Sequence, residues 1–126
     1  MRSSEPGPRR RSTVSAGRLY EDRAIEYYER QGYEVVARNY RTGPHEIDLI
    51  VAKPDLLVFV EVKAARSDKF GHPAERVDSR KVAHLSVAAR HYLHDHALEG
   101  CDVRFDVITF VGDHLEHYPN AFDAPS

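Results

Sequence analysis

Three charged side chains, Asp48, Glu61 and Lys63, stand where strands should hold apolar residues in the most apolar stretch of the chain, Glu46 to Lys63, which reads EIDLIVAKPDLLVFVEVK. Asp48 interrupts Ile47, Leu49, Ile50 and Val51, while Glu61 and Lys63 interrupt Leu57, Val58, Phe59, Val60 and Val62. Burying such charges is costly unless they are paired or bind a metal. Two carboxylates with a lysine beside them have a definite use. Oxygen ligands that leave room for water and phosphate suit Mg²⁺ (or Mn²⁺). A neighbouring lysine can orient or deprotonate an attacking water, or stabilise charge developing on phosphate. These are the parts needed for metal-assisted phosphodiester hydrolysis.

Those side chains meet only if the elements beneath them hold one register. Strand alternation puts Glu46, Asp48 and Ile50 on one side, and Phe59, Glu61 and Lys63 on one side of the next strand. Lys53-Pro54-Asp55-Leu56 is good turn chemistry, with proline fixing φ at its second position. A two-residue connection pairs Lys53 with Leu56 and, counting outward, Asp48 with Glu61. Directly opposite Cβ atoms lie about 5 Å apart, and Lys63 falls roughly 7 Å along from Glu61. Pro54-Asp55 with Glu61-Val62-Lys63 also fits a nuclease pattern written PD…ExK. Asp55, however, is separated from Glu61 by about 20 Å of extended strand, so those two do not share a metal. A one-residue bulge would reverse the parity on which the pairing of Asp48 with Glu61 depends. On the residues alone, a structural ion-pair cluster at a sheet end stays open as the competing reading.

The remaining elements supply the frame. Met1 to about Ala16, with Pro6, Pro8 and Arg9 to Arg11, reads as a flexible basic arm. A helix is expected from Gly17 to Gln31, closed by Gly32, with Tyr20, Ala24, Ile25 and Tyr28 on its buried face. Tyr33 to Arg41 reads as a first strand, and Thr42, Gly43 and Pro44 break it before the hairpin. A polar loop follows Lys63. A second helix is expected from Asp78, a plausible N-cap, to His96, with Val82, Leu85, Ala89, Tyr92 and Leu93 as its core stripe. Two more strands, Val103 to Val111 and Leu115 to Tyr118, flank a Gly112-Asp113 turn. The order αβββαββ implies an α/β domain whose central mixed sheet is flanked by helices. One domain over residues 17–118 is expected, with an irregular tail over 119–126.

The motifs in series resemble a known family. Gly17-x-x-x-Glu21-x-x-Ala24, Ala37-Arg38-Asn39-Tyr40-Arg41, Glu46-Ile47-Asp48-Leu49-Ile50, Val58-Phe59-Val60-Glu61-Val62-Lys63, Lys81 with Ala89 and Tyr92-Leu93, and Arg104-Phe105-Asp106-Val107-Ile108 follow one another in order. Together they resemble the YraN-like family of bacterial proteins, which is similar to the restriction-endonuclease-like PD-(D/E)xK superfamily. The resemblance implies a restriction-endonuclease-like fold. It implies Asp48 and Glu61 as metal ligands, Lys63 as catalytic lysine and Glu21 as an accessory acid, with Glu46 second in line. The sequence departs from the family's usual pattern in having His45 before Glu46-Ile47-Asp48, and Ala64-Ala65 after the lysine with Arg66 one place later.

The bulk numbers are compatible with that reading. The chain has 126 residues, 41% of them hydrophobic and 30% charged, with a net charge of -2. That size allows a single core. Lys63, Arg66, Lys69, Arg76, Arg80 and Lys81 concentrate basic charge between the two halves, whereas the C-terminal end is acidic. Arg41, Arg66, Arg80 and Lys81 are candidate phosphate contacts, with ordinary surface charge as the alternative. Cys101 is the only cysteine, which excludes an internal disulfide or a cysteine-based zinc cluster. With no long apolar run and no signal-like N-terminus, a cytoplasmic protein without membrane contact is expected. His84, His91, His94 and His96 lack ligand spacing with a third partner, and Arg104 is expected to pair with Asp106. The function expected is Mg²⁺-dependent endonuclease action on DNA, branched or structured DNA included, for which a homodimer would suit two-strand cutting. The alternative is a catalytically weak or inactive module that binds nucleic acid or a protein partner.

Overall fold

A five-stranded sheet in the order β1-β2-β3-β4-β5 separates two helical layers. The computed structural model describes residues 12–65 and 79–122, with side chains from residue 17 onward. Its elements are α1 (Ser12–Arg30), β1 (Glu34–Thr42), β2 (His45–Lys53), β3 (Leu56–Ala65), α2 (Ser79–Asp95), β4 (Asp102–Val111) and β5 (His114–Tyr118). This is the expected αβββαββ order, a central mixed sheet flanked by helices. β3 and β4 run parallel, and the other neighbours are antiparallel. A parallel pair needs a crossover, and α2 lies in that connection.

α1 starts at Ser12, earlier than the expected Gly17, so residues 12–16 are helical and not part of an arm. It ends as expected. Gly32 has φ 92°, and the N–H groups of Gly32 and Tyr33 donate to the carbonyls of Glu29 and Tyr28 at 3.0 and 3.1 Å, a glycine-closed helix end. The rest of the basic arm, the loop with Arg66, the expected cap Asp78 and the end of the tail lie outside the described residues.

Alternation along the strands fills both layers. Leu49, Val51, Val58, Val60, Ile108 and Phe110 pack with Ala24 and Tyr28 of α1. Ile50, Leu57, Phe59 and Phe105 pack with Leu85, Ala88, Ala89 and Tyr92 of α2. A sheet covered on both faces calls for unbroken apolar runs, which is why β3 reads Leu-Leu-Val-Phe-Val before its first charge.

A β-bulge shifts the β1–β2 register between Val35 and Ala37, and further along both strands the alternation breaks again. Ile47 lies in the α2 layer with Ile50, whereas Leu49 lies in the α1 layer. The partner strand does the same: Arg38 reaches Glu21 on α1, while Tyr40 packs edge-on against Tyr92 of α2. Between them Asn39 takes φ 53°, a left-handed conformation that asparagine tolerates better than most residues. Asp48 sits at this turnover point, between Ile47 and Leu49. The expectation that Glu46, Asp48 and Ile50 share a face therefore fails, because each strand rotates by one position there.

Candidate active site

The β2–β3 turn is the starting point. Lys53 faces Leu56 and Leu49 faces Val60, the register expected from a two-residue connection at Pro54-Asp55. Asp55 is exposed in that turn, away from Glu61. The regular ladder stops at Leu49, and the Asp48 carboxylate takes over. Its Oδ2 accepts a hydrogen bond from the Val62 backbone N–H at 2.9 Å. That bond anchors Asp48 beside the residue that follows Glu61.

Glu61 is only 3% exposed. The charge of Glu61 acts directly on the Asp48 carboxyl. Burial, then the charge of Glu61, pushes the Asp48 carboxyl up to about 7, against the opposing pull of the Val62 N–H; Glu21 adds to the rise. Crowded carboxylates that avoid carrying two charges share a proton or attract a cation.

Two lysines answer that demand in part. Lys63 Nζ lies 3.2 Å from Glu61 Oε2. Lys81 Nζ, from the first turn of α2, lies 3.1 Å from the same oxygen. Reading Lys81 as a phosphate contact missed this placement, because its reach to Glu61 depends on how α2 packs. Arg80 is exposed beside it.

Glu21 comes near but is otherwise engaged. Its Oε1 accepts from Arg38 Nε at 3.4 Å and Asn39 Nδ2 at 3.2 Å. Arg38 also pairs with Asp22 at 2.7 Å. Arg38 and Asn39 belong to a motif visible in the sequence, but their hold on Glu21 depends on how α1 packs against β1. Glu46 pairs with the exposed Arg41 across the β1–β2 ladder at 3.4 Å. The histidines in and just after α2 are dispersed: His91 bonds to Thr42 at 2.7 Å, His94 to Glu99 at 3.0 Å, and His96, past the helix end, stacks on Tyr92. Cys101 is half-buried against the α2-side core. Among the described residues, no group of three His, Cys, Asp or Glu side chains converges to hold a metal.

A second polar cluster lies on the α1 side. Arg104 grips both oxygens of Asp106 at 2.8 Å, confirming the expected pair. Tyr28 and His117 reach Asp106 Oδ2 at 2.8 and 2.7 Å, and the Asn120 N–H donates to Oδ1 at 3.0 Å. Burial pushes the Asp106 carboxyl up, but these bonds, led by His117 and Arg104, outweigh it and hold it well below the usual carboxylate range. Asp106 pairs with Val60 in the β3–β4 ladder and shares its α1-facing side. Glu61 is the next residue along β3 and faces the other layer, so Asp106 braces α1 and β5 rather than the carboxylate pair.

The fold and this site define an α/β domain with a half-buried two-carboxylate, two-lysine centre, Glu61 its buried member, on a mixed sheet. The chain belongs to the uncharacterised protein family UPF0102, whose sequence signature matches residues 20–110, in agreement with the YraN-like motifs. It is 40% identical over 114 residues to a UPF0102 protein of Chloroherpeton thalassium, covering 90% of this chain and 87% of the relative. A UPF0102 protein of Solibacter usitatus is 45% identical over 105 residues, covering 82% and 80%. A third, from Persephonella marina, is 38% identical over 107 residues, covering 85% and 92%. Among solved structures, the crystal structure of SSO0001 aligns over 88% of this chain and 52% of its own, with a TM-score of 0.42 and 16% identity. That likeness is too distant to bear on function. Among the described residues, no helix is long and apolar enough to cross a membrane.

Proposed function

We propose that this chain is a Mg²⁺- or Mn²⁺-dependent nuclease that hydrolyses phosphodiester bonds in DNA, structured or branched DNA included. The observation that carries the reading is the meeting of Asp48 and Glu61 at the strand turnover, with Lys63 on Glu61. Their donor set fits a hard divalent cation, which is commonly held by one or two carboxylates and completed by water and phosphate oxygens. Asp48 and Glu61 would hold it. Bound there, the cation would supply Lewis-acid polarisation of a phosphate oxygen and a more acidic water. Asp48, whose carboxyl is pushed up to about 7, must be deprotonated to act as a ligand. Val62 N–H fixes its carboxylate while that happens. The Lys63 ammonium, on the same face as Glu61, is placed to hydrogen-bond a water or a non-bridging phosphate oxygen. Glu21, bound by Arg38 and Asn39, acts on the site through its charge. A cytoplasmic location and a homodimer cutting both strands belong to the same proposal.

The test is a Mg²⁺ titration followed at the Asp48 and Glu61 carboxyl carbons by NMR, with cleavage of single-stranded, duplex and junction DNA. The reading fails if neither carboxyl responds and cleavage equals that of Glu61→Ala and Lys63→Ala. One observation favours the second reading, a non-catalytic module that binds nucleic acid or a protein. Glu61 already has two ammonium partners, and Glu21 is bound by Arg38 and Asn39. That reading expects DNA or protein binding that is indifferent to divalent metal.

A further inference from the structure

We infer that Lys81 is an internal counter-ion, holding the charge of Glu61 until a divalent cation displaces it. The inference rests on the metal reading above and adds a loading step to it. Lys63 and Lys81 approach one oxygen, Glu61 Oε2, at 3.2 and 3.1 Å. Like charges this close tolerate each other only because a nearly buried carboxylate lies between them. A divalent cation on Asp48 and Glu61 would add two more positive charges to the same few ångströms. One ammonium then has to retreat.

The two lysines differ in how they are held. Lys63 is two residues from Glu61 on the same strand, its backbone locked in the β3–β4 ladder opposite Thr109. It stays near Glu61 whatever its side chain does. Lys81 has a similar exposure, 34% against 28% for Lys63, but comes across from another element on its flexible four-carbon stem. Its backbone is not part of the β3 ladder, so its ammonium can move off Glu61 without disturbing the strand that carries both Glu61 and Lys63.

Its position on α2 points the same way. The first turn of α2 has no acidic residue and carries Arg80 and Lys81. Cations at a helix N-terminus oppose the helix dipole, so the carboxylate contact helps to stabilise Lys81 there. Once displaced, its charge joins Arg80 and the positive helix end at the rim of the site. That is where a substrate phosphate would be drawn, so metal loading and substrate binding are coupled through one side chain.

The experiment uses the full chain and two cations as probes. In calorimetry with Mn²⁺, Lys81→Met binds about tenfold tighter than wild type, since the competing cation is gone. Lys81→Arg returns the affinity toward the wild-type value, which a purely structural role for the lysine would not predict. In wild type, lysine ammonium NMR shows both Nζ groups protected from exchange, and Mg²⁺ releases Lys81 while Lys63 stays protected. Mn²⁺ affinity that is unchanged or weaker in Lys81→Met overturns the inference. So does a protected Lys81 when Mg²⁺ shifts the Asp48 and Glu61 carboxyl carbons, an outcome that leaves the metal reading standing. If neither cation binds, both fall together.

Discussion

The Asp48 carboxylate accepts its hydrogen bond from the Val62 N–H, the residue between Glu61 and Lys63, at 2.9 Å. A side chain thereby does what the strand ladder would otherwise do. The cost is a carboxylate crowded against Glu61, and that cost has a pH signature.

Without metal, Asp48 should destabilise the fold as pH rises. Its folded pKa of about 7 lies above an unfolded value of about 4. Between those values the folded state binds more protons than the unfolded state. Stability therefore falls from pH 4 to 7, by on the order of 2–4 kcal/mol. Asp48→Asn keeps an oxygen for the Val62 N–H and should flatten that slope. Urea unfolding at several pH values in chelator reads it, and a flat wild-type profile would contradict the crowding.

Asp106 should behave in the opposite sense. Its folded pKa is depressed, so its contribution is present above the unfolded value near 4 and is lost as pH falls toward the folded one. Asp106→Asn leaves the Arg104 guanidinium without its bidentate carboxylate and should cost about 2–3 kcal/mol at pH 7, the range for losing charge-assisted hydrogen bonds. Thermal or urea unfolding of the variant, with wild type beside it, measures this.

Divalent metal should release protons. At pH 6.5 Asp48 is largely protonated, and ligation requires the carboxylate. Binding of Mg²⁺ should therefore liberate about three-quarters of a proton, and affinity should rise with pH up to about 8. Calorimetry in buffers of different ionisation enthalpy counts the proton; a heat independent of buffer would rule out Asp48 as a ligand.

Lys63→Ala should separate binding from chemistry. Removing the ammonium next to Glu61 leaves both carboxylates in place, so Mn²⁺ still binds. Cleavage of DNA should drop by roughly 10²–10³-fold. A variant that cleaves as fast as wild type would remove Lys63 from the mechanism.

Much of this was legible in the chain. The αβββαββ order follows from hydrophobic period and from Gly32, Pro54 and Gly112, since each records a local conformational demand. The hairpin register follows from the two-residue turn. What local reasoning missed is the rotation at Asn39 and Asp48. A left-handed residue in one strand and a twist in its neighbour leave no trace in alternation counts, because Ile47, Leu49 and Ile50 are all buried whichever face they take. Glu46 was misplaced for that reason.

By itself, the sequence determined which residue types could do chemistry and which strands bear them. Three charges in an apolar run betray themselves, because burial selects against charge and local spacing sets the turn. Only the tertiary structure decided which groups touch them. Lys81 is eighteen residues beyond Lys63, and Glu21 is on the other helix; their approach depends on how α1 and α2 pack on opposite faces of one sheet. Packing of distant elements is set by the sum of many apolar contacts, and no spacing along the chain encodes it.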